Sequence, residues 1–105
     1  MIDIETMDNR PTAAIASIGA VWFEPSGSWI GRTFHMHVDL VDCQRHGLTI
    51  GADTVVWWLG QSEDAIATLR NGQDGAAPLV TALEAIEAFA DFADPEFGEV
   101  WCNGA

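Results

Sequence analysis

Lysine is missing from this 105-residue chain, and its four cationic side chains are all arginine. Sixteen Asp and Glu residues give the chain a formal net charge of −12. Because nonspecific affinity for phosphates comes largely from Lys and Arg, this balance argues against a protein that binds nucleic acid through a basic surface. It argues equally against adhesion to an anionic membrane. An acidic disordered tail is excluded as well, since 49% of the residues are hydrophobic.

Long apolar runs and paired cysteine motifs are also lacking. No stretch approaches the roughly 20 residues of a membrane helix, and the N-terminal residues lack the basic and apolar regions of a signal peptide. We therefore expect a cytoplasmic protein with no membrane partner. Cys43 and Cys102 form no CxxC pair and no disulfide framework, so two reduced thiols are expected. The length predicts a single domain over residues 1–105.

Three segments in the first half of the chain have the patterns of β-strands. Residues 1–7 precede a turn signal at residues 8–11. Residues 14–23 are almost continuously apolar, which predicts a strand buried on both faces at the centre of its sheet. Residues 29–38 alternate apolar and polar side chains. Because short turns join these segments, we predict a three-stranded antiparallel meander.

The second half of the chain carries helical signals. Asp53 can cap a helix that ends at Gly60, and Ser62 can cap another that stops at residues 71–72. The strongest signal covers residues 78–93, where an apolar stripe lies beside an acidic one. Helices therefore follow the meander, and an α/β domain is expected.

The end of the chain predicts a fourth strand at residues 99–102. Because a helix precedes this strand, it is expected to run parallel to an earlier one. The chain then stops at residues 103–105, directly after the strand, so the sequence has the look of an interrupted domain.

Asp3 and Glu5 lie two positions apart in the first predicted strand. Both carboxylates therefore point to one face, roughly 6.6 Å apart along the strand. Acids on the interior part of a sheet need a positive partner, and a chain without lysine can obtain one as a divalent cation. Hard oxygen ligands suit Mg²⁺ or Mn²⁺. The spacing alone also fits an exposed edge strand with solvated acids, because D-x-E occurs often by chance.

Three motifs together resemble a known nuclease family: DIET at residues 3–6, SIGAV at residues 17–21 and TVVWWLGQS at residues 54–62. The combination is similar to the DEDD (DnaQ-like) 3′–5′ exonucleases, and within them to a small exoribonuclease-like branch of bacteria and phages. The resemblance implies a ribonuclease H-like fold. It also implies a metal-dependent hydrolase that removes nucleotides from the 3′ end of RNA or single-stranded DNA.

The resemblance implies roles for individual residues. Asp3 and Glu5 match the first two of the family's four acids, and they would hold two divalent cations, Mg²⁺ or Mn²⁺, for phosphodiester hydrolysis. Thr6, Trp57 and Gln61 are expected to contact the substrate, because they match positions near the terminal nucleotide. Trp58 is expected to pack in the core.

The last residues match only the beginning of the family's second motif. The third acid, the later His and the final Asp do not occur in this chain. We therefore expect the N-terminal portion of an exonuclease, truncated within its second motif and impaired in activity. Another protomer could complete the site, so a homodimer is one expected partner arrangement.

Three alternatives stay open from the sequence. A non-catalytic remnant could keep the fold and serve in binding or assembly. The charge of −12 could belong to an acidic nucleic-acid mimic, although the acids are scattered along the chain. A zinc site is the third alternative, and its candidate ligands are His35, His37, Cys43 and His46. Their irregular spacing favours an amphipathic third strand instead.

Overall fold

A computed structural model describes residues 1–91, 98 and 100–102 and has an α/β architecture. Its strands are β1 (Ile2–Thr6), β2 (Ile15–Phe23) and β3 (Ile30–His37). Its helices are α1 (Leu40–Arg45), α2 (Ala52–Leu59), α3 (Glu63–Gly72) and α4 (Leu79–Ala90). The strands form one sheet in the order β1-β2-β3 with antiparallel pairing throughout, which confirms the predicted meander.

β2 is the central strand of this sheet, as its apolar sequence predicts. The segment from Ala14 to Ile18 is buried deepest, and Ala14, Ala16 and Ile18 are each no more than 2% exposed. From Gly19 to Phe23 the strand is only half-buried. The prediction of burial on both faces therefore holds for the first part of β2 only.

The sheet has an apolar face, which consists of Ile2, Ile4, Ala16, Ile18, Ala20, Phe34 and Met36. Helix α4 packs against this face and contributes Leu79 and Ala82 to the hydrophobic core. Farther along α4, the Phe89 ring lies 5.4 Å from the Phe34 ring between centroids. Burial of these side chains is the main force that holds helix and sheet together.

Helix α1 was not predicted from the sequence. Asp39 caps it, because its carboxylate accepts hydrogen bonds from the backbone N–H groups of Val41 at 2.9 Å and Asp42 at 3.2 Å. Cys43, on the inner side of this helix, is fully buried, and its Sγ lies 3.7 Å from the carbonyl oxygen of Ile15. With only six residues, α1 is too short to show a helical period in the sequence.

The predicted helix boundaries are partly correct. Ser62 caps α3 by accepting a hydrogen bond from Ala65 N at 3.1 Å, as expected. Asp53 is not the cap of α2, because the helix begins two residues earlier: Gly51 is the N-cap and Asp53 lies in the first turn. Helix α4 ends at Ala90, where Asp91 adopts the left-handed conformation with φ of 48°.

Of the predicted fourth strand at residues 99–102, the structure describes residues 100–102, which form an isolated bridge instead of a strand. Ile2 makes this parallel bridge with Cys102, and the Ile2 N–H donates to the Trp101 carbonyl at 2.8 Å. The direction of this bridge agrees with the predicted parallel arrangement. Cys43 and Cys102 are free thiols. No helix in the described part of the chain has the length and apolar character needed to cross a membrane.

Candidate functional site

The pairing register of the sheet brings both predicted acids and two histidines to one face. Residues that pair across antiparallel strands point to the same side of the sheet. The paired rows on this side are Asp3–Gly19–His35 and Glu5–Ser17–His37. We call this side the polar face. Because Gly19 and Ser17 are small, they leave open space between the acids on β1 and the histidines on β3.

Asp3 and Glu5 are both exposed on β1, the edge strand of the described sheet. Within the described residues, neither carboxylate has a hydrogen bond or an ion pair. Exposed carboxylates without a protein cation are the donor type that Mg²⁺ and Mn²⁺ prefer, and Mg²⁺ commonly takes one or two carboxylates together with substrate phosphates. The chemistry of this pair therefore fits a divalent cation.

A cleft of about 340 Å³ separates the polar face from helices α2 and α3. Its lining includes Glu5, His35, His37, Trp58, Asp64 and Thr68. Asp3 lies one row farther along the same face, toward the start of β1. The volume is at the lower end of the range for small-ligand pockets, which begins at about 300 Å³.

One hydrogen bond to Thr6 ties the end of β1 to α2, and a second, donated by Thr6, stays within the turn that follows. The indole N–H of Trp58 donates to the Thr6 carbonyl at 3.3 Å. The Thr6 hydroxyl donates to the Asp8 carbonyl at 2.9 Å. A shift in register between Glu5 and Thr6 marks the same point of the strand. These contacts hold the strand segment that carries the acids against the helix that closes the cleft.

Asp8 anchors the turn after β1. This residue lies in a turn signal of the sequence, but its anchoring role was not predicted. Its side chain is 4% exposed. The carboxylate accepts hydrogen bonds from the Asn9 backbone N–H at 2.8 Å, from Arg10 Nε at 2.6 Å and from the Thr49 hydroxyl at 2.6 Å. The hydrogen bond from Thr49, together with those from Arg10 and Asn9, lowers the pKa of Asp8, although burial opposes the shift.

The two adjacent tryptophans of α2 occupy different environments. Trp58 is half-buried, packs against the hydrophobic core and also lines the cleft. Trp57 is 56% exposed, and among the described residues it is not part of the cleft lining. The predicted substrate residue Gln61 donates through Nε2 to the Trp57 carbonyl at 3.0 Å and is likewise outside that lining.

The possible zinc ligands are spread over separate environments. Cys43 lies in the core, where burial raises the pKa of its thiol. The His46 ring contacts the Asp42 carbonyl at 2.9 Å. Across residues 1–91, 98 and 100–102, no group of three or more His, Cys, Asp or Glu side chains is arranged to hold a metal ion.

A second cavity, of about 570 Å³, lies near the start of β1 at the tip of the β2–β3 hairpin. Its lining includes Trp22, Phe23, Trp29, Arg32 and Trp101. The Phe23 and Trp101 rings meet edge to face, with centroids 6.0 Å apart. This cavity is larger than the cleft, but its described lining lacks the carboxylate pair, so the cleft is the better candidate for chemistry.

Comparison with known proteins gives two matches. The family model of the 3′-5′ exoribonuclease Rv2179c-like domain matches residues 1–105, which is the entire chain. The exodeoxyribonuclease of Enterobacteria phage T4 is 25% identical over 116 residues, which cover 99% of this chain and 49% of that protein. The chain thus spans about half the length of this curated relative. No solved structure matches the chain significantly.

Proposed function

The chain belongs to the 3′-5′ exoribonuclease Rv2179c-like domain family, and we propose that its polar face is part of a 3′–5′ exonuclease site. We further propose that this site is of the DEDD (DnaQ-like) type on a ribonuclease H-like fold. In this proposal Asp3 and Glu5 are the first two acids of the site, and the substrate is the 3′ end of a single-stranded nucleic acid.

One observation supports this proposal above the others. Asp3 and Glu5 are exposed side by side on the polar face, and neither has a hydrogen bond or ion pair within the described residues. The acid next in sequence, Asp8, is instead buried and fully engaged by its neighbours. A carboxylate pair that the fold itself does not use is available for a ligand.

Divalent cations, Mg²⁺ or Mn²⁺, are the proposed cofactors. Asp3 and Glu5 would hold them with carboxylate oxygens, and bound cations of this kind stabilise the attacking and leaving oxygens of a phosphodiester during in-line displacement. The chain's own contribution is positioning. The β1 backbone sets the spacing of the two carboxylates, and Trp58 holds the end of that strand through its hydrogen bond to the Thr6 carbonyl.

The expected substrate contacts of α2 remain part of the proposal. Trp57 presents an exposed ring on which a base can stack, an interaction worth about 1–3 kcal/mol per base. Gln61 uses its amide N–H on its own helix, which leaves its amide oxygen as an acceptor. Thr6 lies directly after the acids, and its hydroxyl keeps acceptor capacity after donating to Asp8.

The two comparisons differ on whether the substrate contains ribose or deoxyribose. The family description names an exoribonuclease, whereas the phage T4 relative is called an exodeoxyribonuclease. We therefore propose RNA or single-stranded DNA as substrate, with both to be compared in one assay. A site that contacts mainly phosphates and the 3′ end accepts either strand, whereas contacts to the 2′-hydroxyl favour RNA.

A domain that binds nucleic acid without cleaving it is the second candidate. It is favoured by one finding: the described residues contain no group of three donor side chains arranged around a metal ion. Two carboxylates alone bind cations weakly. In this case the chain would bind single strands but release no mononucleotides.

The test is metal-dependent, stepwise shortening of 5′-labelled single-stranded RNA and DNA, which reports the removal of mononucleotides from the 3′ end. With Mn²⁺ present, we expect slow release from the 3′ end by the unmodified chain, because two carboxylates alone bind cations weakly. Asp3→Asn and Glu5→Gln are each expected to reduce the rate by about a hundredfold or more, because metal-ion stabilisation of the transition state contributes several kcal/mol. Thermal unfolding of both variants should stay unchanged, since both acids are exposed.

Glu87→Gln is the matched control. It removes one negative charge from an exposed position of α4, the helix on the opposite side of the sheet, so it should leave the rate unchanged. A rate that survives Asp3→Asn would refute the proposed site. A folded chain that binds single strands but releases nothing in Mn²⁺ would identify the second candidate.

A further inference from the structure

We propose that His35 and His37 bind backbone phosphates of the substrate strand. This inference rests on the proposed function, because it assumes a single-stranded nucleic acid whose 3′ end lies at Asp3 and Glu5. The structure places both histidines in the same cleft as Glu5 and Thr68, on the polar face of the sheet.

The histidines and the acids lie on different strands of the polar face, with β2 between them. Each row of the polar face runs from β1 through β2 to β3, so two strand spacings of about 4.8 Å, together about 10 Å, lie between acid and histidine backbones. Among the described residues, no group of three or more His, Cys, Asp or Glu side chains is arranged to hold a metal ion, so the histidines are not assigned as metal ligands. The imidazoles lie where a strand extends away from its 3′ end.

The arginines are engaged or located elsewhere. Arg10 pairs with Asp8 at 2.6 Å, and Arg32 lies over the Phe89 ring, 5.6 Å from its centroid, on the side covered by α4. Arg45 and Arg70 belong to the last turns of α1 and α3. None of the four is among the described residues that line the cleft. Among the described residues that line the cleft, His35 and His37 are thus the side chains that offer a ring N–H donor to a phosphate from the β3 side.

The two imidazoles are also arranged as a pair. Their ring centroids lie 4.8 Å apart, with an angle of 78° between the ring planes. A Cβ atom on Gly72 of α3 would collide with the His37 ring, so the glycine allows this close packing. His35 is exposed to the cleft opening, whereas His37 is half-buried. An imidazole has an N–H donor whether neutral or protonated, and phosphate oxygens accept such bonds.

The experiment measures the affinity of the 105-residue chain for 5′-fluorescein-labelled oligoadenylate and oligouridylate by fluorescence anisotropy, with Ca²⁺ replacing the catalytic metal. His35→Ala is expected to raise the Kd about tenfold, the typical loss when a hydrogen bond to a charged group disappears. The two homopolymers should lose affinity equally, because phosphate contacts carry no sequence information.

Two further variants separate phosphate binding from a structural role. Thr33→Ala is the matched control: Thr33 lies on the same face of β3, one row farther from the cleft, so its Kd should stay within about twofold of the unmodified value. His35→Gln retains a donor and should recover part of the loss. His37→Ala should weaken binding as well, and its thermal unfolding must be measured because the ring is packed.

The outcomes distinguish this inference from the proposed function. An unchanged Kd in His35→Ala, a loss confined to one homopolymer, or no binding by the unmodified chain would overturn the phosphate site. Release of mononucleotides that depends on Asp3 would still support the exonuclease in those cases. Conversely, binding that depends on His35 without any release in Mn²⁺ would support the phosphate site and refute the nuclease.

Discussion

The two faces of the sheet are made from alternate residues of the same three strands, yet they have different roles. The apolar face is covered by α4 and holds the fold together through residues such as Ile18 and Phe34. The polar face, one residue away along each strand, presents Glu5 and two histidines to an open cleft, and Asp3 lies one row farther along the same face. Stability and the candidate chemistry can therefore be altered separately, by substitutions at neighbouring positions.

Ile18 and Gly19 provide the sharpest test of this separation. Ile18 is 2% exposed on the apolar face, so Ile18→Ala should lower the free energy of unfolding by about 4 kcal/mol through lost burial and a residual cavity. A Cβ on Gly19, facing the other way, would have its nearest neighbour at 3.9 Å, an ordinary contact. Gly19→Ala should therefore be neutral or slightly stabilising.

Urea denaturation of both variants measures this difference. Similar losses of unfolding free energy for Ile18→Ala and Gly19→Ala would contradict the inference that the apolar face stabilises the fold and the polar face does not.

Substitutions of the two tryptophans of α2 test whether the packing of this helix beside the polar face contributes to stability. Trp58 packs against the core and donates to Thr6, so Trp58→Ala should cost about 3 kcal/mol of unfolding free energy. Trp57 is 56% exposed, and Trp57→Ala should cost less than about 1 kcal/mol. Thermal unfolding compares the two, and equal losses would show that the exposed ring is structurally required.

Gly72 tests the fit between α3 and the polar face. Alanine is normally preferred over glycine in a helix by about 1 kcal/mol, but here its methyl group would collide with the His37 ring. Gly72→Ala should therefore destabilise the chain by about 1–2 kcal/mol. Combining it with His37→Ala should remove most of this cost, because the collision partner is gone.

Gly60→Ala is the matched control for this prediction. A Cβ at Gly60 would lie 3.5 Å from its nearest neighbour, so the substitution should change the unfolding free energy by less than about 0.5 kcal/mol. Additive effects of Gly72→Ala and His37→Ala would disprove the proposed fit.

Asp8 supports the acid-bearing strand in a pH-dependent way, and its effect is expected to be the smallest. Its folded pKa lies below the ordinary value of 3.8, chiefly because of the hydrogen bond from Thr49. A lowered folded pKa adds stability that is fully present above the unfolded pKa and is lost as pH falls through the folded value. The Tm advantage over Asp8→Asn should therefore shrink below about pH 4.

Thermal unfolding between about pH 6 and pH 3 measures this advantage. Glu84→Gln, at an exposed position of α4, should show no such convergence with the unmodified chain. A constant difference between the chain and Asp8→Asn across this range would argue against the anchoring role of the carboxylate.

Much of the architecture could be predicted because its signals are local. The continuous apolar run of β2 predicts a central strand, and the cap at Ser62 predicts the start of α3. The start of α2 could not be found in this way. Gly51 takes the cap position in preference to Asp53, and the Asp8 side chain packs so closely on it that an added Cβ would lie 2.6 Å from Asp8 Oδ1.

Only part of the candidate site could be predicted from the sequence. Asp3 and Glu5 are two apart in a strand, so their common face follows from local alternation. That His35 and His37 share this face depends on the register across two strand pairs, which no local pattern contains. The choice of Trp58 over Trp57 for the cleft likewise depends on how α2 packs against the end of β1.

The sequence by itself determined the three strands and the helices α2, α3 and α4 that follow them, the carboxylate pair on β1 and the family to which the chain belongs. These follow from periodicity, capping and motifs, all of which are properties of neighbouring residues. Only the tertiary structure decided which side chains line the cleft with Glu5 and which acid is buried. The physical reason is that register and helix packing are set by contacts between residues distant in sequence, such as Asp8 with Thr49 and His37 with Gly72.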